Sequence, residues 1–262
     1  MVFRLPCFVY TTTDKVSKNA AEFLISNFNF EKLDDTNKHF RKGEIDIIGV
    51  DSELPFADFL DIDTDFVIFL SRHASSKNIP SFTVHALGNW SSNADLGGKP
   101  KTLGIASPKG MLSVLIELSR NKKIRVSYEA THHGPLINVP SLFAELGGNE
   151  ETEANREYTD TLGRAVMDST YNSGVIYDKV AIGIGSTHYP EKFTKLALEG
   201  AYAFSHILPK YHIKETDMIE QAISRSEPKA DIAVIEWKSI NNNDRNSVTK
   251  KLDELGMDYV KV

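Results

Sequence analysis

The sequence predicts an α/β protein, a single layered domain over residues 1–262 built around a largely parallel central sheet. Three observations carry that expectation. Short apolar runs alternate along the chain with stretches whose apolar residues recur at helical spacing, the order that produces strands crossed by helices. The run Phe66-Val67-Ile68-Phe69-Leu70 is apolar without a break, as in a strand covered on both faces. No internal repeat or low-complexity linker divides the chain, and the turn at Asn241-Asn242-Asn243 is too short to separate domains.

The elements follow in order. Phe8 to Thr12 reads as the first strand, and Asp14 caps a helix with Val16, Ala20, Phe23 and Leu24 on one face. Ile45 to Val50, Asp65 to Leu70 and Phe82 to Leu87 read as strands. Ser107-Pro108 starts a helix, because proline suits the first helical position, and Met111, Leu112, Leu115, Ile116 and Leu118 continue it. Arg125 to Ala130 is a strand, Glu150 to Asn172 a long polar helix, and Lys179 to Ile184 a strand. Glu191 to Ser205 is a helix with Phe193, Leu196, Ala197, Ala201 and Phe204 along one side. A helix–strand–helix–strand run closes the chain from Thr216 to Val262, with Ala230 to Trp237 as its first strand.

Composition narrows the class. At 41% hydrophobic and 25% charged residues the chain is that of a soluble globular protein. The lone Cys7 rules out an internal disulfide and a cysteine-rich zinc module, and is read as a packing residue. The opening MVFRLPCFVY has too short an apolar run for a signal peptide, and no run approaches the roughly 18 residues of a membrane span. A cytoplasmic protein without membrane contact is expected, and a monomer, since no coiled coil or apolar repeat forces assembly. The net charge of −6 is unevenly spread. Residues 44–65 carry eight acids and no Lys or Arg; residues 99–125 carry seven bases, Lys99, Lys101, Lys109, Arg120, Lys122, Lys123 and Arg125, against Glu117. Such a stripe attracts phosphates, although a solvated surface of clustered charge is the plainer reading.

The chemistry concentrates in the histidines. Of eight, five lie in or just after predicted strands: His73 in Ser71-Arg72-His73-Ala74-Ser75, His85 in His85-Ala86-Leu87-Gly88-Asn89-Trp90, His132 and His133 in Glu129-Ala130-Thr131-His132-His133-Gly134-Pro135, and His188 in Gly183-Ile184-Gly185-Ser186-Thr187-His188-Tyr189. Loops beyond the carboxyl ends of parallel strands converge on one crevice, so these segments are expected to meet there. One such histidine is usually a hydrogen-bonded surface residue; five make a shared site the better reading. Zinc favours imidazole and carboxylate, and His73, Glu129, His132, His133 and His188 suffice for a site that activates water. His132 and His133, being adjacent, would point opposite ways in an extended segment unless the turn at Gly134-Pro135 bends them together. Arg72 offers a fork for a phosphate or carboxylate, Asn89 an amide, Trp90 a stacking ring, and Gly183 and Gly185 backbone N–H groups for an anion. No His-Glu-x-x-His motif is present, so a metal-free site with histidine as general base stays open. His39, His206 and His212 lie off the pattern and are read as structural. Gly147-Gly148 is read as a turn, and Trp237 as packing.

Together these four segments, in this order over nearly the whole chain, resemble the archaeal-type D-aminoacyl-tRNA deacylases, also found in plants. The resemblance implies a zinc-dependent esterase that cleaves a D-amino acid from the 3′ end of tRNA, on a fold related to nucleoside phosphorylases and peptidyl-tRNA hydrolases. It carries over His73, His132, His133 and His188, with Glu129 beside them, and leaves open which are ligands and which act as base; His73, His132, His188 and Glu129 are expected as metal ligands, and Glu129, His132, His133 and Arg72 as catalytic residues. His85, Asn89, Trp90, Gly183 and Gly185 are placed at the substrate, with Lys99, Lys101, Lys109, Lys122 and Lys123 near tRNA phosphates. The Ser186-Thr187 pair stands where many relatives have more glycine, which puts the amino-acid preference in question. Three other functions compete: a metal-dependent amidohydrolase or peptidase on small substrates, a metal-free phosphorylase or peptidyl-tRNA hydrolase, and a non-catalytic tRNA-binding protein.

Overall fold

In the computed structural model residues 6–74, 78–171 and 174–262 are described; Met1 to Leu5, Ser75 and Asn172, which figure in the readings above, lie outside them. Strand Pro6–Thr11 leads to helix Lys15–Asn27, whose first turn is closed by Asp14 accepting from the Ser17 N–H at 2.8 Å. Strand Ile45–Val50 has its expected limits, and the apolar strand runs from Phe66 through to His73. Val67 to Leu70 are wholly buried. Val67 and Phe69 join Cys7 and Val9 in one core, while Ile68 and Leu70 join Phe8 and the helices in another, as the two-residue period of a doubly covered strand requires.

The strands form two principal sheets where one was expected. The larger runs Arg125–Tyr128, Ser81–His85, Pro140–Gly147, Phe66–His73, Pro6–Thr11, Ile45–Val50, His39–Lys42, Glu31–Lys32. The smaller, Tyr202–Pro209, Lys179–Ser186, Ile232–Ile235, Tyr259–Lys261, is parallel throughout. Strand Pro140–Gly147 escapes the sequence reading because Glu145 interrupts a short apolar run, yet it is central. It pairs parallel with Phe66–His73 and antiparallel with Ser81–His85, so Ser81–His85 and its parallel neighbour Arg125–Tyr128 run the opposite way. The carboxyl ends therefore do not share one edge, and the expected crevice geometry is corrected: the site lies on a face of the larger sheet.

Two helices differ from expectation. The long polar helix is two, Glu150–Ala154 and Arg156–Tyr171, because Asn155 leaves helical geometry and its side chain accepts from the Glu157 N–H at 2.9 Å. The helix from Glu191 ends at Leu198, before Gly200 at φ +81°, and Tyr202–Pro209 is a strand. Phe204 still meets Phe193, with ring centroids 4.9 Å apart, but from that strand.

Candidate active site

Register places the first donors. His73, Glu145 and His85 stand on the sheet face that also carries Phe69 and Phe143, because Gly147 pairs with His73, Glu145 with Ser71 and Thr83, and Phe143 with His85. Gly147 makes the approach of His73 feasible: a Cβ there would lie 2.8 Å from the imidazole. The His85 ring stacks on Phe143 at 5.1 Å, nearly parallel.

The remaining donors arrive over this face. After strand Arg125–Tyr128 the chain crosses toward the smaller sheet, where the Ala130 N–H donates to the His188 carbonyl and the Thr131 N–H to that of Ile207. On its other side the Gly88 N–H donates to the His133 carbonyl. His133 adopts φ +45°, a left-handed conformation uncommon outside glycine. That bend answers the question of the adjacent pair: the His132 and His133 rings lie 4.4 Å apart on the same side, at the turn before Gly134-Pro135.

The resulting cluster is dense, with its carboxylates buried. Glu129, at 1% exposure, sets one oxygen 3.0 Å from His73 Nδ1 and the other 2.9 Å from His188 Nε2 and 3.6 Å from His132 Nε2. Glu145 stands 3.4 Å from His73 Nδ1 and 3.8 Å from His85 Nε2. Tyr189 and Tyr211 back the outer imidazoles, with hydroxyls 2.7 Å from His73 Nε2 and 3.0 Å from His188 Nδ1. Burial raises the pKa of Glu129, but contact with His188 and the charges of His73 and His85 outweigh it and hold the carboxyl below its ordinary value. Burial, and after it the neighbouring imidazoles, lower His132 well below the ordinary value and His133 to about 4, so both rings are neutral. Burial pushes His73 and His85 down as well, yet Glu145 and Glu129 raise both above the ordinary histidine value.

The donor set fits a divalent metal. His85, His132 and His133 each direct Nδ1 at a backbone carbonyl, those of Ala86, Ala130 and Gly134, at 3.1, 2.9 and 2.6 Å. A carbonyl only accepts, so each Nδ1 carries a hydrogen, and the neutral His132 and His133 rings keep their lone pair on Nε2, as in metal-ligating histidines, while His85, drawn toward its charged form by Glu145, offers the same atom once it gives up that proton. Both Glu129 oxygens and His85 Nε2 are buried without a well-angled hydrogen bond, despite the short distances. Three overlapping groups, His85/His132/His133, Glu129/His132/His188 and His73/Glu129/Glu145, each keep their donor atoms within 4.8 Å of one another.

The other expected site residues fall around this cluster. Arg72 borders it, with Nε 2.9 Å from Asp14 and Nη1 3.7 Å from Glu153. The Asn89 amide donates to the Gly97 and Lys99 carbonyls and fixes the loop between them. Trp90 is 2% exposed and borders a chamber beside His132. Gly183 and Gly185 have packing reasons to be glycine: a Cβ on Gly183 would meet the Phe193 ring at 2.7 Å, and Gly185 sits at φ +92° with its carbonyl accepting from Ser239. The lysines do not form one stripe. Lys99 is exposed beside the Asn89 loop, and Lys101 pairs with Glu215 at 2.8 Å and Asp217 at 3.2 Å. Lys109 is half-buried on the first turn of helix Pro108–Ser119. Lys122 donates to the Ser119 carbonyl and Lys123 pairs with Glu157, both before strand Arg125–Tyr128 and so at the end remote from Glu129. His206 is buried, its Nε2 bonded to the Arg225 carbonyl at 2.9 Å, whereas His212 borders the chamber. Glu145 is the donor sequence reasoning missed; a carboxylate within Leu142-Phe143-Ala144-Glu145-Leu146 was the available signal, since a buried charge needs a partner.

Fold and site define an α/β protein with a buried, metal-competent centre of histidines and carboxylates. Comparison with known proteins makes this particular. The family model for D-aminoacyl-tRNA deacylase matches residues 60–260. The proteins named D-aminoacyl-tRNA deacylase from Thermococcus onnurineus and Pyrococcus furiosus are each 37% identical over 96% of this chain and 97% of their own. The crystal structure of a conserved protein of unknown function superposes with a TM-score of 0.89 at 29% identity, covering 98% of this chain and 95% of that one. The chain belongs to the D-aminoacyl-tRNA deacylase family, a family of ester hydrolases.

Proposed function

We propose that the protein hydrolyses the ester between a D-amino acid and the 3′-terminal ribose of tRNA, with zinc as its metal and water as the nucleophile. The observation that carries the metal is the common orientation of His85, His132 and His133, each with Nδ1–H tied to backbone and Nε2 free. These three would hold the ion, and Glu129, 3.6 Å from His132 Nε2, belongs with His132 and His188 to the adjoining group. A bound zinc supplies Lewis acidity and makes water acidic enough to react near neutral pH.

The protein's own groups do the rest. Glu129, held below its ordinary pKa, stays anionic and is a weak base. His188, 32% exposed against 5% for His73, is the imidazole most open to substrate, and Tyr211 orients it at Nδ1. It takes the proton from water at Nε2, where Glu129 stabilises the imidazolium, and returns it to the ribose oxygen that leaves. The partner is tRNA through its acceptor end; of the stripe lysines, Lys99, exposed on the Asn89 loop, would meet its phosphates, and Lys101 would do so by exchanging its pairs with Glu215 and Asp217. Among the described residues no helix is long and apolar enough to cross a membrane.

A second reading, a metal-free hydrolase run by the His188–Glu129 pair, rests on their 2.9 Å contact. One assay separates the two: release of amino acid from D-tyrosyl-tRNA and L-tyrosyl-tRNA, before and after chelation and after zinc is restored. Release from the D-ester alone, lost on chelation and recovered with zinc, is expected. Activity that survives complete metal removal favours the pair; no release from either ester overturns the deacylase.

A further inference from the structure

The His132–His133 bend does more than present nitrogens. It stands with Leu96 as a wall between two chambers, both of which it lines. One, of about 400 Å³, has Leu54, Pro55 and Leu96 as an apolar wall and the carboxylates of Asp14, Glu53 and Glu145 in its lining. The Asp14 carboxylate is committed to the Ser17 N–H and to Arg72, and Glu145 to the cluster. Glu53 is exposed, and among the described residues its carboxylate has no hydrogen-bond or ion-pair partner. The other chamber, of about 220 Å³, has no carboxylate in its lining. Tyr211 borders it with a ring 55% exposed, and Trp90 borders it with an indole N–H that is buried and unpaired. Lys99 and Lys101 lie on the loop beside it.

We infer that the two chambers take the two halves of the ester. On this assignment, which rests on the deacylase reading above, the terminal nucleoside lies in the Trp90–Tyr211 chamber and the aminoacyl group in the Leu54–Glu53 chamber, with the ester carbonyl at the histidine wall. Charge sets the polarity. In the larger chamber Arg72 answers Asp14 and His73 answers Glu145, so the unpaired Glu53 is the group there that draws an α-ammonium, whereas the exposed Lys99 stands beside the chamber that no carboxylate lines and favours the phosphates. Shape agrees. The exposed Tyr211 ring is a stacking surface for a base, and the Asn93 side chain in the same lining offers an amide to a nucleoside. Leu54 and Leu96 give the amino-acid side chain an apolar wall.

The assignment makes Glu53 a specificity residue that reads the ammonium and nothing else. The test compares D-tyrosyl-tRNA with its α-hydroxy analogue, in which a hydroxyl replaces the ammonium, on the zinc-loaded protein. Glu53→Gln, at an exposed position with no contact to lose, should raise KM about fivefold for D-tyrosyl-tRNA, the weight of one partly exposed ion pair, and leave the analogue unchanged. Tyr211→Ala should raise KM for both esters alike. Tyr211→Phe, which keeps the ring and loses the bond to His188, should lower kcat with KM held. An equal effect of Glu53→Gln on both esters, or a Tyr211→Ala effect confined to the free amine, overturns the assignment while leaving the deacylase intact. If the wild type hydrolyses neither ester, the underlying reading fails and the assignment with it.

Discussion

The larger sheet presents His73, His85 and Glu145 from its face at 5%, 1% and 3% exposure, locked by strand register; the smaller sheet offers His188 from a loop, a third exposed. One group is held by backbone pairing and stacking, the other by a tyrosine and one carboxylate oxygen. Glu129 touches both, through His73 and His188. The contrast is one of rigidity and access: the larger sheet holds its donors buried and fixed at the centre, and the smaller one presents the more exposed imidazole.

The largest expected effect falls on the residue that joins them. Glu129→Gln should lower kcat/KM by roughly 10²–10⁴-fold, the range of a lost proton-transfer partner. A tenfold loss or less would dissolve the link. Stability should separate the sheets next. Without metal, Glu145→Ala leaves His73 and His85 short of a buried counter-charge and should cost about 3–5 kcal/mol in urea unfolding. His188→Ala, at a partly exposed site, should cost under about 1 kcal/mol. Equal losses would end the comparison.

Acid should then tell the buried histidines apart. Burial holds His206, on the smaller sheet, at about 4 against its ordinary value near 6.5. The unfolded chain therefore binds a proton that the fold excludes. The stability His206 contributes is present above pH 6.5 and is lost as pH falls toward 4, about 3 kcal/mol in all. His73 and His85, raised by their carboxylates, have the opposite sign: their contribution is full below the ordinary value and fades as pH climbs. Urea midpoints from pH 7 to 4.5 should fall less steeply in His206→Gln than in wild type; parallel curves would contradict the shift. The smallest effect belongs to the remote lysines. Lys122→Ala with Lys123→Ala should change KM for D-tyrosyl-tRNA by less than about twofold, because exposed pairs contribute little; a tenfold rise would return them to the tRNA path.

The legible part of this molecule was what local pattern encodes. Asp14 as a cap, the doubly buried Val67–Leu70 run and the five clustered histidines each carry their signal within a few residues. Pairing partners do not. Strand Pro140–Gly147 lies between neighbours from distant parts of the chain, and its short run holds a carboxylate that suggests a loop until His73 and His85 are known to face it. With that strand hidden, so was the reversal of Ser81–His85, and with it the fact that the donors rise from a sheet face. Helical spacing rightly put Phe204 with Phe193 but could not tell a strand from a helix beyond Gly200. The lysines clustered in sequence without clustering in space, because a helix and a turn spread them over both ends of a strand.

One contact at the mouth of the larger chamber has a mechanical consequence. The Gly134 N–H donates to the Leu96 carbonyl, a Cβ on Gly97 would lie 1.7 Å from the Pro55 carbonyl oxygen, and one on Gly134 would lie 2.3 Å from the Gly98 nitrogen. Three loops far apart in sequence thus grip one another main chain to main chain, with no side chain between them to act as a cushion. Displacing any one of them drags the other two, so the rim moves as a single plate, and a residue inserted into one loop would be felt at the histidine wall.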